Sequence, residues 1–348
     1  MGNMTIKYLR NSAFVTGLFL VIYALIFFGV LNRYHSTILI LIMIGIIAAV
    51  SLNLSTGMLG QLVLGHAAFM GLGAYGAALL GKAIFANGWF SFIPWSGVHD
   101  LLVFIVSALV GGLIAALAGI LVGTPALRLK GDYLGIMTLG FGEVVIAFIS
   151  NLTSITGGAQ GLKAIPRIVT FPVAYWTMVI CVTLIVFIMK SRHGRAILSI
   201  RENEIAAEAV GINLTKYKVV TFSIAAFFGG ISGAVLAFSQ GFIAPSITSF
   251  GFVKSIEVFV IVVLGGMGSI TGSIISATIL TFLPEALREF ASYRLLVYSL
   301  ILVFMMLYRP QGIFGTAEMS LTAAINKVKS LSKSFHKLLK KTFSRGEK

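Results

Sequence analysis

From Tyr34 to Gly81 the chain runs without a single Lys, Arg, Asp or Glu, and 101–127, 168–189 and 219–253 are equally uncharged. A helix that crosses a bilayer needs about 20 mainly apolar residues. Several runs of this kind cannot all form the interior of one soluble domain. The alternation of apolar runs with polar breaks predicts helices at about 13–31, 38–54, 67–86, 101–122, 133–150, 172–189, 219–238, 253–265, 271–284 and 294–308. The expected fold is all-α: a polytopic integral membrane protein of about ten transmembrane helices. The eighth and ninth helices are short and read either as spans or as broken segments. The first apolar stretch, Ala13 to Leu31, is too long for the apolar core of a signal peptide. It ends without a small-x-small pattern, so it is read as a retained span.

Charge gives this pattern a direction. Only 11% of the 348 residues are charged, against about 25% in an ordinary soluble domain, and 58% are hydrophobic. Lys and Arg number 26 against 11 Asp and Glu, a net +15. Nucleic-acid binders are rich in charge, so this charge-poor chain is not read as one. Basic residues cluster at Lys7 and Arg10, at Arg128 and Lys130, at Lys190, Arg192, Arg195, Arg201, Lys216 and Lys218, and from Arg309 onward. Ten spans put all of these clusters on one side, which the positive-inside rule makes cytoplasmic, with both termini there. Arg33, Lys163, Arg167, Lys254, Arg288 and Arg294 fall to the outer loops. Residues 1–315 then form a transmembrane permease domain with its longest cytoplasmic loop at about 190–218. Residues 316–348 form a basic tail. Within it Val328, Leu331, Phe335, Leu338, Leu339 and Phe343 recur at helical spacing among lysines, which suits an amphipathic helix on anionic lipid or a disordered extension.

Enzyme-like motifs carry little weight in this setting. Gly71-Leu-Gly73-Ala-Tyr-Gly76 has the glycine spacing of a dinucleotide fingerprint, and Gly76 to Ala83 resembles a phosphate loop ending in Ala83 where Ser or Thr is needed. Both lie inside an apolar run with no strand before them. The same glycines suit close helix approach in lipid, as do Gly119-x-x-x-Gly123, Gly229-x-x-x-Gly233 and Gly268-x-x-x-Gly272. The five histidines lack metal-ligand spacing and Cys181 stands alone, so neither a metal site nor a catalytic group is expected. Glu143 and Glu257 lie inside spans, where a carboxylate serves either a pathway or a hydrogen-bonded helix contact.

Three features remain. Two glycine-polar stretches, Asn53 to His66 and Leu264 to Gly272, interrupt apolar runs toward the cytoplasmic side. They are either broken helices facing a cavity or tight turns between spans. The loop from Lys190 to Ile212 offers helix formers from Ala196 to Val210, closed by Gly211 in the left-handed position. On one such helix Arg201, Glu204 and Glu208 share a face, and Ile197, Ile200, Ile205 and Ala209 form an apolar side. That helix lies on lipid or against a partner; two glutamates against an anionic leaflet favour the partner. Finally, Asn151 to Pro166 is polar and glycine-rich for an outer loop, and reads as a docking surface or a flexible connector.

At this point the sequence resembles a known family. Ala206-Ala207 to Gly211 is similar to the Glu-Ala-Ala coupling loop of ABC importer permeases, with Ile205 where the usual Glu stands and Glu204 one position earlier. The stretches Gly57–Tyr75, Gly131–Glu143, Leu152–Gly161, Arg201–Ile212 and Tyr308–Gly315 resemble, in order, the LivM-type permeases of branched-chain amino acid importers. The resemblance implies a bacterial inner-membrane subunit translocating Leu, Ile or Val. Its implied partners are a LivH-like second permease, two ABC ATPase subunits that bind ATP and Mg, and an extracytoplasmic substrate-binding protein. This chain itself would hold no cofactor. Coupling to the ATPases is expected at Arg201, Glu204, Glu208 and Gly211. Candidate pathway residues are Asn53, Gln61, His66, Thr138 and Glu143. Alternatives are a same-family permease for urea, short amides or other amino acids; an ion-coupled secondary transporter; and a membrane-embedded enzyme.

Overall fold

The computed structural model describes residues 2–88, 96–126 and 132–287, together with 293, 296, 299–300, 303–304, 307–308, 312 and 315. Contacts divide the chain into one unit of residues 23–316 and another of 1–22 with 317–348. The basic tail, Arg128, Lys130 and much of the tenth expected helix lie outside the described residues; those described at 296–308 are helical.

Helix α1 (Gly2–Phe27) falls mainly in the smaller unit, and its apolar part is Ala13–Phe27. The larger unit holds α2 (Arg33–Asn53), α3 (His66–Ala86), α4 (Ser96–Ala126), α5 (Asp132–Asn151), a single turn α6 (Thr153–Thr156) and α7 (Phe171–Lys190). It continues with α8 (Arg192–Glu202), α9 (Glu204–Ala209), α10 (Leu214–Gln240), α11 (Phe252–Gly265) and α12 (Ile270–Ala286). Among the described residues there is no strand, only an antiparallel bridge between Leu162 and Ile243. Among the described residues six stretches are long and apolar enough to cross a bilayer: Arg33–Met58, His66–Ala86, Gly97–Ala126, Tyr133–Asn151, Phe171–Lys190 and Leu214–Gln240. Side chains that face outward from these helices are apolar too, including Leu117, Leu121, Val144, Phe148 and Phe187. This is the surface expected against lipid rather than water.

α3, α4 and α10 pack through glycine. A Cβ on Gly73 would strike the Gly230 backbone, one on Gly111 the Gly73 carbonyl, and one on Gly233 the Met70 carbonyl. These contacts bring the backbones together where lipid gives no hydrophobic drive for association. The glycines of the nucleotide-like motif are therefore used in helix packing. Phe69 meets Phe222 and Phe104 meets Phe238 edge to face, at 5.4 and 6.0 Å between ring centres.

α11 departs from a simple span. At 14 residues it is about 21 Å long, short of the roughly 30 Å of hydrocarbon. The chain reaches its start by descending from the end of α10 as an irregular segment, 241–251. Ile243 pairs with Leu162 and its carbonyl also receives the Tyr75 hydroxyl, while the Ser255 hydroxyl accepts the Ala67 amide near the start of α3. The Leu162 and Ile165 amides donate to the Ile243 and Gly241 carbonyls, at 2.8 and 3.1 Å. Non-helical backbone is thus satisfied by protein, the condition for tolerating it at membrane depth. The segment expected either to dock a partner or to connect flexibly, Asn151–Pro166, is no loose connector. Gly157, Gly158 and Gly161 take positive φ, and Gly161 has no room for a Cβ beside the Ile243 carbonyl.

Several expectations are corrected. Lys216 and Lys218 belong to α10 and Lys254 to α11, rather than to loops. The helix expected over Ala196–Val210 is two helices broken at Asn203, whose backbone is extended and whose side chain caps α9 by accepting the Ala206 amide at 3.0 Å. Asn competes well for that cap position, and the break turns α9 away from the line of α8. Ile197 and Ile200 are consequently buried, whereas Ile205 is 81% exposed.

Candidate functional site

The polar stretches meet at the end of the bundle that carries Lys190 and the α8–α9 pair. α2 continues through one wide turn, Leu54–Met58, and an irregular segment leads to His66. Asn53 lies at the centre of the junction, fully buried. Its amide nitrogen donates to the Ser269 carbonyl at 2.9 Å and to the Ser273 hydroxyl at 3.0 Å, and its oxygen accepts the Gly268 amide at 2.8 Å. The two glycine-polar stretches are therefore one structure, bridged by a side chain that leaves no amide end unused. Gly266 and Gly268 need positive φ to make the α11–α12 turn, and Gly266 packs against Gly312 and Gly315 too closely for a side chain.

α8 and α9 reach into this junction. The Arg201 guanidinium donates to the Gly57 carbonyl at 3.2 Å and pairs with Glu202 at 2.6 Å. Glu204 turns inward, pairing with buried Lys218 of α10 at 2.7 Å and accepting from the Gln61 amide at 3.2 Å. Arg201 and Glu204 thus hold two different elements, the wide turn after α2 and the first turns of α10. Glu208 and Gly211 stand exposed. Gly211 has φ +88, and the Gly211 and Ile212 amides return to the Glu208 and Ala207 carbonyls, closing α9 in a Schellman turn. Ile205 and Val210, 81% and 77% exposed, leave α9 with an apolar outer face.

The remaining sequence candidates lie elsewhere. His66 is buried beside Gly229 and shares a 2.8 Å hydrogen bond with the Ser51 hydroxyl. Thr138 accepts the Leu64 amide and donates to the Gly135 carbonyl. Glu143 accepts the Phe252 amide at 2.9 Å, placing a carboxylate on the first turn of α11. None of Asn53, Gln61, His66, Thr138 or Glu143 lines either of two cavities in the other part of the bundle. One, of about 260 Å³, is bounded by Thr37, Leu41, Arg167, Ser239 and Gln240. The second, of about 200 Å³, lies between α2, α11 and α12, with Met70 of α3 and Leu236 of α10 also in its wall, and is lined by Lys254 and Glu257. Sequence reasoning missed Lys218 and Lys254 because each sits at the edge of an uncharged run, where a loop charge and a buried partner look alike.

A bundle of long apolar helices, with buried polar backbone breaks, cavities between helices and a capped helix pair at its basic end, defines a multi-pass membrane permease. The chain belongs to the branched-chain amino acid transport system permease component family, which it matches over residues 34–308. It is 36% identical to the high-affinity branched-chain amino acid transport system permease protein LivM of Salmonella typhimurium, over 78% of this chain and 68% of that protein. LivM of Escherichia coli K12 gives the same identity and coverage. The permease protein LivH of Salmonella typhimurium is 31% identical over 52% of this chain and 59% of its own length. No solved structure matches the chain significantly.

Proposed function

We propose that this chain is the LivM-like permease subunit of an ATP-driven importer in the bacterial inner membrane, moving leucine, isoleucine or valine delivered by an extracytoplasmic binding protein. Family membership and the names of both LivM and LivH relatives support the substrate class and a second, LivH-like permease. The observation that carries the coupling reading is α9. Its inner edge is tied through Glu204 to Lys218 and Gln61, and its outer edge offers Ile205 and Val210 to a partner. Two ATPase subunits closing on ATP and Mg would push on α8–α9. The push would reach Gly57 through Arg201 and α10 through Glu204, displacing the Asn53–Gly268 junction and alternating access. The basic end is then cytoplasmic, and ten spans with both termini inside complete the topology.

The test is ATP-dependent uptake of labelled leucine by proteoliposomes containing this chain, its partner permease, both ATPases and the binding protein. Leucine uptake that needs ATP and competes with isoleucine and valine is the expected result. Uptake of urea or short amides in its place moves the substrate within the family. Uptake by this chain alone on an ion gradient overturns the reading.

A further inference from the structure

We propose that Lys254 and Glu257 form the station at which the permease receives the charged groups of its amino acid substrate. The proposal rests on the importer reading above and identifies where in this chain that substrate would be held.

Both residues sit on the first turns of α11, with the ammonium and carboxylate 2.9 Å apart. Their depth is fixed by their neighbours. The cavity they share is lined by Leu41, Ile44 and Ala48 from the middle turns of α2, and by Leu280 and Thr281 of α12. Charges are costly at such depth, and when present they face protein or a wet cavity and mark a route for a polar solute. An ion pair that only braced α11 would need no cavity around it, because α11 is already anchored through the Ser255 hydroxyl and the Phe252 amide. Here the pair borders about 200 Å³ of space whose other walls include Ile44, Val258, Ile261 and Leu280.

That combination suits an amino acid zwitterion with an aliphatic side chain. Empty, the two charges satisfy each other, with side chains 29% and 40% exposed, so neither is left a lone ion. Occupied, the ammonium of Lys254 meets the substrate carboxylate and the carboxylate of Glu257 meets the substrate ammonium. Two pairs then replace one, net charge stays zero, and the side chain lies on the apolar wall. A route to the station adjoins it. Leu41 lines both this cavity and the outer one, where Arg167, Thr37, Ser239 and Gln240 offer polar groups. Leu41 is the boundary between the two.

The experiment uses the complete reconstituted importer and reads leucine uptake per ATP hydrolysed, with co-purification of all subunits as the assembly check. Lys254→Met with Glu257→Leu removes both charges, so neither is stranded. The exchanged pair, Lys254→Glu with Glu257→Lys, keeps the ion pair but swaps the positions of its charges. Exchanging two of the four substituent positions around a chiral centre inverts its handedness, so L-leucine no longer fits with its side chain on the apolar wall. Both double variants are expected to lose at least tenfold in uptake per ATP. Wild-type uptake by either assembled variant overturns the station. If the neutral variant fails to assemble, the exchanged one decides: restored transport means a structural pair, lost transport supports recognition. No leucine uptake by the wild-type complex overturns the importer reading itself, and the station with it.

Discussion

The seam of α3, α4 and α10 has glycine where the region of α2, α11 and α12 has space. In the seam, Gly73, Gly111, Gly230 and Gly233 bring backbones into contact, and aromatic rings fill what remains. Around α2, α11 and α12 the helices are shorter or broken, the chain turns through Gly266 and Gly268, and one cavity persists, with a second beside it between α2, Arg167 and the end of α10. Dense packing resists deformation because any displacement makes atoms overlap. Polar junctions can exchange partners at smaller cost. On the proposed coupling the loosely packed side would be the moving part, and α8–α9 touches both sides, the loose one through Arg201 and Gly57 and the seam through Glu204 and Lys218.

This contrast can be broken from either side. The largest effect is expected in the seam: Gly73→Leu would drive a side chain into the Gly230 backbone, costing about 3 kcal/mol or more. Loss of assembled complex from detergent extracts, followed by size-exclusion chromatography, would show it; a normal elution profile would refute the rigid seam. Next comes the junction. Asn53→Ala leaves the part-buried Gly268 amide without its acceptor and takes the buried donor from the Ser269 carbonyl and Ser273 hydroxyl, at about 2 kcal/mol, and should lower the melting temperature of the purified complex while leaving it assembled. The smallest effect on stability belongs to the outer face of α9. Val210→Asp should change stability by less than about 0.5 kcal/mol, yet weaken co-purification of the ATPases. Retained co-purification would remove α9 as the contact and leave the coupling assignment to other residues.

Glu204 illustrates the limits of periodicity. At i and i+4, Glu204 and Glu208 share a helix face, and periodicity alone groups them. The Asn203 cap starts a new helix, and Glu204 at its first position swings inward to Lys218 while Glu208 stays outside. Local sequence contained the cap signal, but a run of good helix formers outweighed it. The His66 signal is of another kind. A histidine beside glycines in a polar break suits a pathway as well as a core, and only its neighbours, Ser51 and Gly229, place it within the packed helices.

The sequence by itself determined that the chain is a membrane protein, where most of its long helices run, which end is basic and which family it resembles. These follow from spans of apolar residues and from short motifs, both properties of neighbouring positions. Tertiary structure decided that Asn53 joins two stretches more than two hundred residues apart, with Ser269 and Ser273 as its partners. It also decided that Lys254 lies within a helix beside a cavity, and that α11 begins at depth after an irregular descent. Those outcomes depend on which groups must be satisfied where water is absent, and the partners that satisfy them come from distant parts of the chain.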